Sequence, residues 1–182
     1  MDKIRFATVW LTGCSGCHMS FLDLDEWLFE LAKAAEIVYS PISSDIKEYP
    51  AGVDLVLVEG GVGNQDNLNL IKKVRQNSKV LVSFGDCAIS ANVPGMRNML
   101  GGCKSVLERS YLELTDNNAQ IPSQSDILPV LLDQVLPIHQ VVEVDFFLPG
   151  CPPSSEHIKN TLMALLEGKT PSIVDPEILR FG

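Results

Sequence analysis

Four cysteines carry the chemistry that this sequence indicates most clearly. Cys14 and Cys17 form a Cys-x-x-Cys pair, and Cys87 and Cys151 stand far along the chain. Each lies beside glycine, which lets the backbone wrap closely around a bulky ligand. Four thiolates are the ligand set of tetrahedral zinc sites and of cubane iron–sulfur clusters.

The elements that must position these cysteines can be predicted from hydrophobic periodicity. Apolar runs predict buried strands at residues 4–11, 37–42, 54–59, 79–84 and 141–148. Helical spacing predicts helices over residues 20–35, over 67–76 and from Ser154 or Ser155 to Gly168. This alternation predicts a single-domain α/β fold with a flavodoxin-like, doubly wound and mostly parallel sheet.

Every one of the four cysteines follows a predicted strand. Cys14 and Cys17 follow the first strand, Cys87 follows the fourth and Cys151 follows the fifth. In open α/β sheets, the loops at the carboxyl ends of the strands converge on one crevice where ligands bind. We therefore expect the four thiols to meet in space although they are remote in sequence.

The rest of the chain is less regular. Residues 102–140 are predicted to hold a helix near 103–112, a polar loop over 116–126 and a second helix before Pro137. The single domain is expected to span residues 1–182, with 170–182 as an extended C-terminal arm.

Composition excludes several classes of function. The 182 residues carry 14 Lys and Arg against 23 Asp and Glu, so the net charge is −9 and a nucleic-acid partner is not expected. No apolar run reaches the roughly 18 residues of a membrane span. The N-terminus has no export signal, so we expect a cytoplasmic protein, where thiols stay reduced. Its five cysteines then indicate metal or redox chemistry rather than disulfides.

Negative charge is concentrated in residues 110–156, which contain no Lys or Arg. The acidic residues of this stretch are Glu113, Asp116, Asp126, Asp133, Glu143, Asp145 and Glu156. Such a stretch is either a solvated face that aids solubility or a face that docks a basic partner.

Two other cofactors compete with an iron–sulfur cluster. Structural zinc uses the same ligands, but it more often joins two close Cys-x-x-Cys knuckles in a small fold that depends on the metal. An FMN-binding electron carrier is the other alternative, because Thr12 and Gly13 lie where a flavodoxin holds its flavin phosphate. A flavin would leave the cysteines at the other strand ends without a role.

Four short blocks together resemble a known family. They are WLTGCSGC at 10–17, VEG at 58–60, GDCA at 85–88 and PGCPP at 149–153. In this order they resemble the small subunit of nickel–iron hydrogenases, and closely that of the cytoplasmic, bidirectional NAD-linked type. The related complex I subunit has adjacent cysteines in place of Cys-x-x-Cys, which favours the hydrogenase branch over a complex I-like small subunit.

The resemblance implies a division of labour between subunits. Cys14, Cys17, Cys87 and Cys151 would ligate one 4Fe–4S cluster next to the nickel–iron centre of a separate large subunit. This chain lacks the cysteine-rich C-terminal region of three-cluster members, so electrons are expected to leave to a diaphorase module with FMN and further iron–sulfur clusters. The complex would oxidise H2 reversibly, and its final acceptor (NAD, NADP, ferredoxin or F420) stays open.

Four further residues are singled out around these blocks. Gly13, His18 and Glu59 are expected to surround the cluster ligands, and His18 replaces an acidic residue found in many relatives. Glu59 either faces the crevice or is an ordinary hydrogen-bonded group at a strand end. Cys103 is expected to be a small apolar residue at a helix start; the alternatives are a replacement ligand or a redox-sensitive thiol favoured by Lys104 and the helix N-terminus.

Overall fold

A five-stranded parallel sheet forms the centre of the computed structural model, which describes residues 3–124 and 126–171. The strands are β1 (Ile4–Trp10), β2 (Ala35–Tyr39), β3 (Val53–Glu59), β4 (Val62–Asn64), β5 (Ser78–Phe84), β6 (Leu131–Leu136) and β7 (Phe146–Leu148). The α-helices are α1 (Gly16–Leu22), α2 (Trp27–Ala34), α3 (Gln65–Asn77), α4 (Asp86–Ser90), α5 (Asn92–Gly95), α6 (Cys103–Glu108) and α7 (Ser155–Leu166).

The order of the strands confirms the predicted fold. The central sheet runs β2-β1-β3-β5-β7, and every pairing in it is parallel. Numbered only among themselves, these strands have the order 2-1-3-4-5, which is that of flavodoxin-like sheets. The carboxyl ends of β1, β3, β5 and β7 therefore share one edge.

Both faces of the sheet are covered by apolar side chains. Leu55 and Leu57 of β3 lie in one buried cluster and Val56 and Val58 in another, because successive side chains of a strand point to opposite faces. Helix residues complete the two clusters: Ile71 and Val74 of α3 on one side, Ile158 and Leu162 of α7 on the other. The loops at the sheet edge thus stand on a rigid support.

Two elements differ from the predictions. The helix predicted over 20–35 is two helices, α1 and α2, because Asp25 between them has a left-handed φ of 53°. The second helix predicted before Pro137 is wrong, since Leu131–Leu136 forms β6 and pairs antiparallel with β4. That pairing joins segments far apart in sequence, so local periodicity does not reveal it.

Other predictions are confirmed with shifted ends. The helix near 103–112 is present as α6 followed by a π-helical turn at Arg109–Glu113. The last strand is Phe146–Leu148 and not 141–148, because residues 141–145 form a turn and bend that lead into it. Most of the predicted C-terminal arm, residues 172–182, lies outside the described residues.

Within the described part of the chain, no helix is both long and apolar enough to cross a membrane.

Several acidic residues of 110–156 have partners within the chain. Asp145 accepts hydrogen bonds from Arg75 at 2.6 Å and from the backbone N–H of Leu81 at 2.7 Å. Glu113 pairs with Arg109 at 3.3 Å, and Asp133 accepts a hydrogen bond from a cysteine thiol. Some acidic side chains of this stretch therefore bond to other residues of the chain, so the stretch does not form one free acidic face.

Arg75 should be a measurable contributor to the stability of the fold. Its guanidinium binds Asp145 and the carbonyl oxygens of Ser78 and Lys79. Arg75→Met keeps the aliphatic stem and removes these bonds, so the free energy of unfolding in urea should fall by about 2 kcal/mol. The control Lys33→Met removes an exposed pair with Glu30 and should change it by less than about 0.5 kcal/mol. Equal effects of the two substitutions would contradict this role.

Candidate functional site

The structure brings Cys14, Cys17, Cys87 and Cys151 together around one small depression at the carboxyl edge of the sheet. Cys14 and Cys17 lie at the β1–α1 connection, Cys87 in α4 and Cys151 after β7. Cys17 and Cys87 are buried, whereas Cys14 and Cys151 are exposed. The depression therefore has a protected inner wall and an outer side open to a partner. The other residues that line it are Gly16, Glu59, Asp86, Gly150 and Pro152.

The electrostatics of the two buried thiols, Cys17 and Cys87, oppose ionisation. Burial raises the pKa of Cys17, and Glu59 and the three other site cysteines raise it further, because like charges repel. Burial also raises the pKa of Cys87, against a backbone hydrogen bond from Val93 that lowers it. A set of four thiolates here requires a nearby positive centre, which a bound metal group supplies.

The four thiols reach the depression from three separate parts of the chain, after β1, β5 and β7. Structural zinc more often joins two close Cys-x-x-Cys knuckles in a small fold that depends on the metal. A cubane cluster takes one thiolate at each of its four irons. This domain has buried apolar clusters of its own, so the donor set fits a four-iron core.

Gly85 lets two of the ligand loops approach each other. It has a left-handed φ of 81°, and a Cβ atom built on it would lie 2.1 Å from Sγ of Cys17. Any side chain at this position would therefore occupy the place of a ligand atom. Gly150 is similarly confined, since its Cβ would lie 2.5 Å from the backbone of Pro153.

Asp86 joins the loops that carry Cys87 and Cys151. Its Oδ1 accepts a hydrogen bond from the backbone N–H of Gly150 at 2.9 Å, and its own N–H donates to the Gly150 carbonyl at 3.0 Å. The side chain is buried, so these bonds are protected from water. Asp86 was not predicted as a site residue, although its position directly before Cys87 in the GDCA block was a usable signal.

Glu59 holds the beginning of the helix that carries Cys17. Its Oε2 accepts a hydrogen bond from the backbone N–H of His18 at 2.9 Å and also contacts Nδ1 of the His18 ring. Ser15 occupies the N-cap position but makes no side-chain capping bond. Glu59 supplies that acceptor from β3 instead. Both Glu59 and His18 are 1% exposed, so this contact lies in the protein interior.

The remaining predicted neighbours also lie close to the cysteines. A Cβ atom on Gly13 would lie 3.7 Å from Oε1 of Glu59, so Gly13 faces the same carboxylate. Nε2 of His18 is buried and has no hydrogen-bond partner among the described residues. Gly13, His18 and Glu59 therefore lie next to one another beside the Cys-x-x-Cys pair.

Two N–H groups point at sulfurs of the four-cysteine site. The backbone N–H of Gly16 donates to Sγ of Cys14 at 3.4 Å, and Nδ2 of Asn92 donates to Sγ of Cys151 at 3.4 Å. Donors of this kind stabilise negative charge on sulfur and raise the reduction potential of a bound cluster. Sequence patterns do not reveal Asn92, because nothing local connects it with Cys151.

Cys103 lies apart from the other four cysteines. It is half-buried at the start of α6, and its thiol donates a hydrogen bond to Oδ1 of Asp133 at 3.3 Å. That contact raises the pKa of Cys103, whereas a thiol activated by Lys104 and the helix start would have a lowered pKa. The contact with Asp133 disfavours an activated, redox-sensitive thiol, and the structural role of Cys103 stays a prediction.

Comparison with known families places these residues in context. Residues 14–165 match the family described as NADH ubiquinone oxidoreductase, 20 kDa subunit. This range includes all four clustered cysteines.

Named relatives include hydrogenase subunits from archaea and bacteria. The chain is 40% identical over 172 residues to a subunit of the vhu F420-non-reducing hydrogenase of Methanococcus voltae, covering 94% of this chain and 59% of that protein. It is 37% identical over 171 residues to the delta subunit of the NAD-reducing hydrogenase HoxS of Cupriavidus necator, covering 92% and 80%. The chain thus spans little more than half of the archaeal protein and most of the bacterial one.

Solved structures show the same architecture. A chain in the crystal structure of an NAD+-reducing [NiFe]-hydrogenase in the H2-reduced state superposes with a TM-score of 0.93 and 38% identity, covering 100% of both chains. A chain of the Dm. baculatum [NiFeSe]-hydrogenase has a TM-score of 0.59 and 16% identity, covering 92% of this chain and 63% of that one. The second likeness concerns the fold alone.

The role of Asp86 can be tested by comparing two substitutions. Asp86→Ala leaves the partly buried N–H of Gly150 without its acceptor and should lower the free energy of unfolding by about 1–2 kcal/mol. Asp86→Asn keeps Oδ1 as an acceptor and should lose less than half as much. Urea unfolding monitored by circular dichroism measures both values. The proposed connection between the loops would be wrong if Ala and Asn were equally destabilising.

Proposed function

The chain belongs to the NADH ubiquinone oxidoreductase 20 kDa subunit family, as a hydrogenase small subunit, and we propose that it carries one 4Fe–4S cluster. The proposed ligands are Cys14, Cys17, Cys87 and Cys151. The observation that carries the proposal is the placement of these four thiols around one depression. Their origin in three separate parts of a domain with its own core favours a cluster over structural zinc, which more often joins two close knuckles.

The residues of this chain bind and shield the proposed cluster. When bound, a 4Fe–4S cluster supplies one-electron storage at a potential set by burial and hydrogen bonding. Cys17 and Cys87 hold its inner side away from water, and Cys14 and Cys151 hold the side that faces outward. Gly16 and Asn92 direct N–H groups at the two outer sulfurs.

The proposed reaction is the reversible oxidation of H2 with NAD(P)+ as electron acceptor. H2 gives two protons and two electrons, and NAD(P)+ takes up two electrons and one proton. We assign H2 activation to a nickel-bearing large subunit and NAD(P)+ reduction to a diaphorase-type module with FMN and further iron–sulfur clusters. This chain covers 80% of the HoxS delta subunit and 100% of the matched chain in the [NiFe]-hydrogenase structure. Both proteins are named as NAD-reducing, which supports NAD over F420. The proposed complex works in the cytoplasm.

The flavin alternative has less support from the geometry. The hydroxyl of Thr12 donates to Oδ1 of Asn67 at 2.6 Å, and the Thr12 N–H donates to the Gly61 carbonyl at 3.0 Å. Both groups that would approach a flavin phosphate are therefore engaged within the protein. This favours the cluster as the redox group of the chain.

Replacement of single cysteines tests the ligand set. The anaerobically purified protein should contain about four irons and four labile sulfides per chain, and Cys87→Ser should lose most of both, because one iron loses its thiolate. Cys103→Ser should retain them, because that thiol binds Asp133 outside the site. Iron and sulfide analysis measures both variants. A protein that contains zinc without sulfide, or that loses iron only on Cys103→Ser, would contradict the assignment.

Two glycines with a positive φ provide a sharper test of the site's shape. Gly85 and Gly101 both have a φ of 81°, with ψ of 166° and 23°, but a Cβ on Gly101 would meet nothing within 4 Å. Gly101→Ala therefore introduces backbone strain of about 1–2 kcal/mol without a clash. Gly85→Ala combines backbone strain with a clash with Sγ of Cys17 and should also abolish the visible and EPR signals of the cluster. Equal cluster content in the two variants would show that Cys17 is not a ligand in this geometry.

A further inference from the structure

A short turn at residues 91–93 brings hydrogen-bond donors to two of the four clustered cysteines. Nδ2 of Asn92 donates to Sγ of Cys151 at 3.4 Å. Burial raises the pKa of Cys87, and the backbone N–H of Val93, which hydrogen-bonds to this thiol, lowers it. One turn therefore contacts two sulfurs that are remote from each other in sequence.

The turn depends on an unusual backbone conformation at Ala91. This residue ends α4 with a left-handed φ of 64°, and its N–H donates to the Cys87 carbonyl at 3.1 Å. The left-handed conformation costs a residue other than glycine about 1–2 kcal/mol. Such strain persists where the surrounding structure fixes it, and it is concentrated at functional sites. Here it turns the chain back toward the sulfurs directly after α4.

The other end of this segment is anchored to the β4–β6 pair. Arg97 donates to the carbonyl oxygens of Gly63 in β4 at 3.0 Å and of Leu132 in β6 at 2.7 Å. Asn98 exchanges two hydrogen bonds with the backbone of Val135, at 2.8 and 2.9 Å. The segment is thus fixed on both sides of its donors, so the Asn92 amide is preorganised toward its acceptor.

Asn92 differs in kind from the donor to the other exposed thiol. The N–H that donates to Cys14 is the backbone group of Gly16, which the Cys-x-x-Cys turn itself positions. Within residues 3–124 and 126–171, Asn92 is the only residue whose side chain donates to one of the four clustered sulfurs. A side-chain donor depends on residue type, so residue 92 can change the polarity at a sulfur without a change of fold.

The direction of this effect follows from the charge of a cluster. Reduction adds one negative charge, which is shared with the sulfurs, so an N–H donor stabilises the reduced state more than the oxidised state. The contact between Asn92 and Cys151 is exposed, and water can donate to the sulfur when the amide is absent. The effect of the residue is therefore the difference between a fixed amide and mobile water.

We propose that Asn92 raises the reduction potential of the cluster through its hydrogen bond to Cys151; this rests on the proposed function. Asn92 is a positioning residue, because it acts through the sulfur and not on a reactant. The turn at Ala91 and the anchors at Arg97 and Asn98 hold its amide in place. A higher potential makes the cluster a stronger acceptor for the electrons that H2 oxidation releases.

Two substitutions of Asn92 test this role in the purified complex. Asn92→Leu has a similar size and removes the donor, so the equilibrium constant for reduction should fall about threefold, which is about 28 mV at about 59 mV per tenfold change. Asn92→Asp keeps the shape and adds a negative charge, so the fall should be about tenfold, or about 59 mV. An EPR-monitored redox titration measures these potentials. Enrichment of this chain alone in ⁵⁷Fe identifies its signal by line broadening.

The matched control is Asn77→Leu. Nδ2 of Asn77 donates to the Lys73 carbonyl at 2.8 Å, and Asn77 ends α3 directly before β5, at the edge of the sheet opposite the cysteines. This variant loses an amide hydrogen bond without touching the site and should keep the wild-type potential. All three variants should keep wild-type iron and sulfide, because each retains the four thiols.

The outcomes separate this proposal from the proposed function. Wild-type potentials in both Asn92 variants would show that water replaces the amide and would overturn the role of Asn92, as would an equal shift in the control. Loss of iron and sulfide in both Asn92 variants would also overturn it, because the residue would then be needed to bind the cluster; where only one loses them, the potential of the other decides. A wild-type chain without a 4Fe–4S signal would refute the proposed function itself.

Discussion

Burial of two thiols beside a carboxylate is the constraint on which the organisation of the proposed site depends. Burial, followed by neighbouring negative groups, raises the pKa of Cys17, and burial raises that of Cys87, so the proposed ligand set is unfavourable as thiolates unless a positive metal core is bound. The loops must then be held in place by contacts other than the ligands themselves. Asp86 and Glu59 provide such contacts, and the Ser20 hydroxyl adds a hydrogen bond to the Pro153 carbonyl at 2.5 Å.

The parallel sheet satisfies this constraint through its connectivity. The proposed ligands follow β1, β5 and β7, while Glu59 ends β3, so four neighbouring strands contribute to one edge. The long connection between Cys87 and Cys151 carries β6 and also Asn92. Asn92 donates a hydrogen bond to Sγ of Cys151, so this connection contacts both of the proposed ligands that it joins.

Local sequence patterns predicted the supporting fold because buried parallel strands are nearly continuous apolar runs. The convergence of the four cysteines followed from a general rule on the carboxyl ends of such strands. The same patterns missed β6, because LLDQVL becomes a strand only through its distant partner β4. They missed Asp86 and Asn92 for a similar reason: the importance of each lies in one hydrogen bond to a residue about 60 positions away.

Mössbauer spectroscopy tests the central claim most directly. The sample is the anaerobically purified complex in which this chain is the only subunit enriched in ⁵⁷Fe. The account predicts the spectrum of one 4Fe–4S cluster in which every iron has tetrahedral sulfur coordination, with four irons per chain. Reduction by H2 should convert this spectrum to that of the one-electron-reduced cluster. A chain without iron, or with a single mononuclear iron or zinc at the four cysteines, would contradict the account.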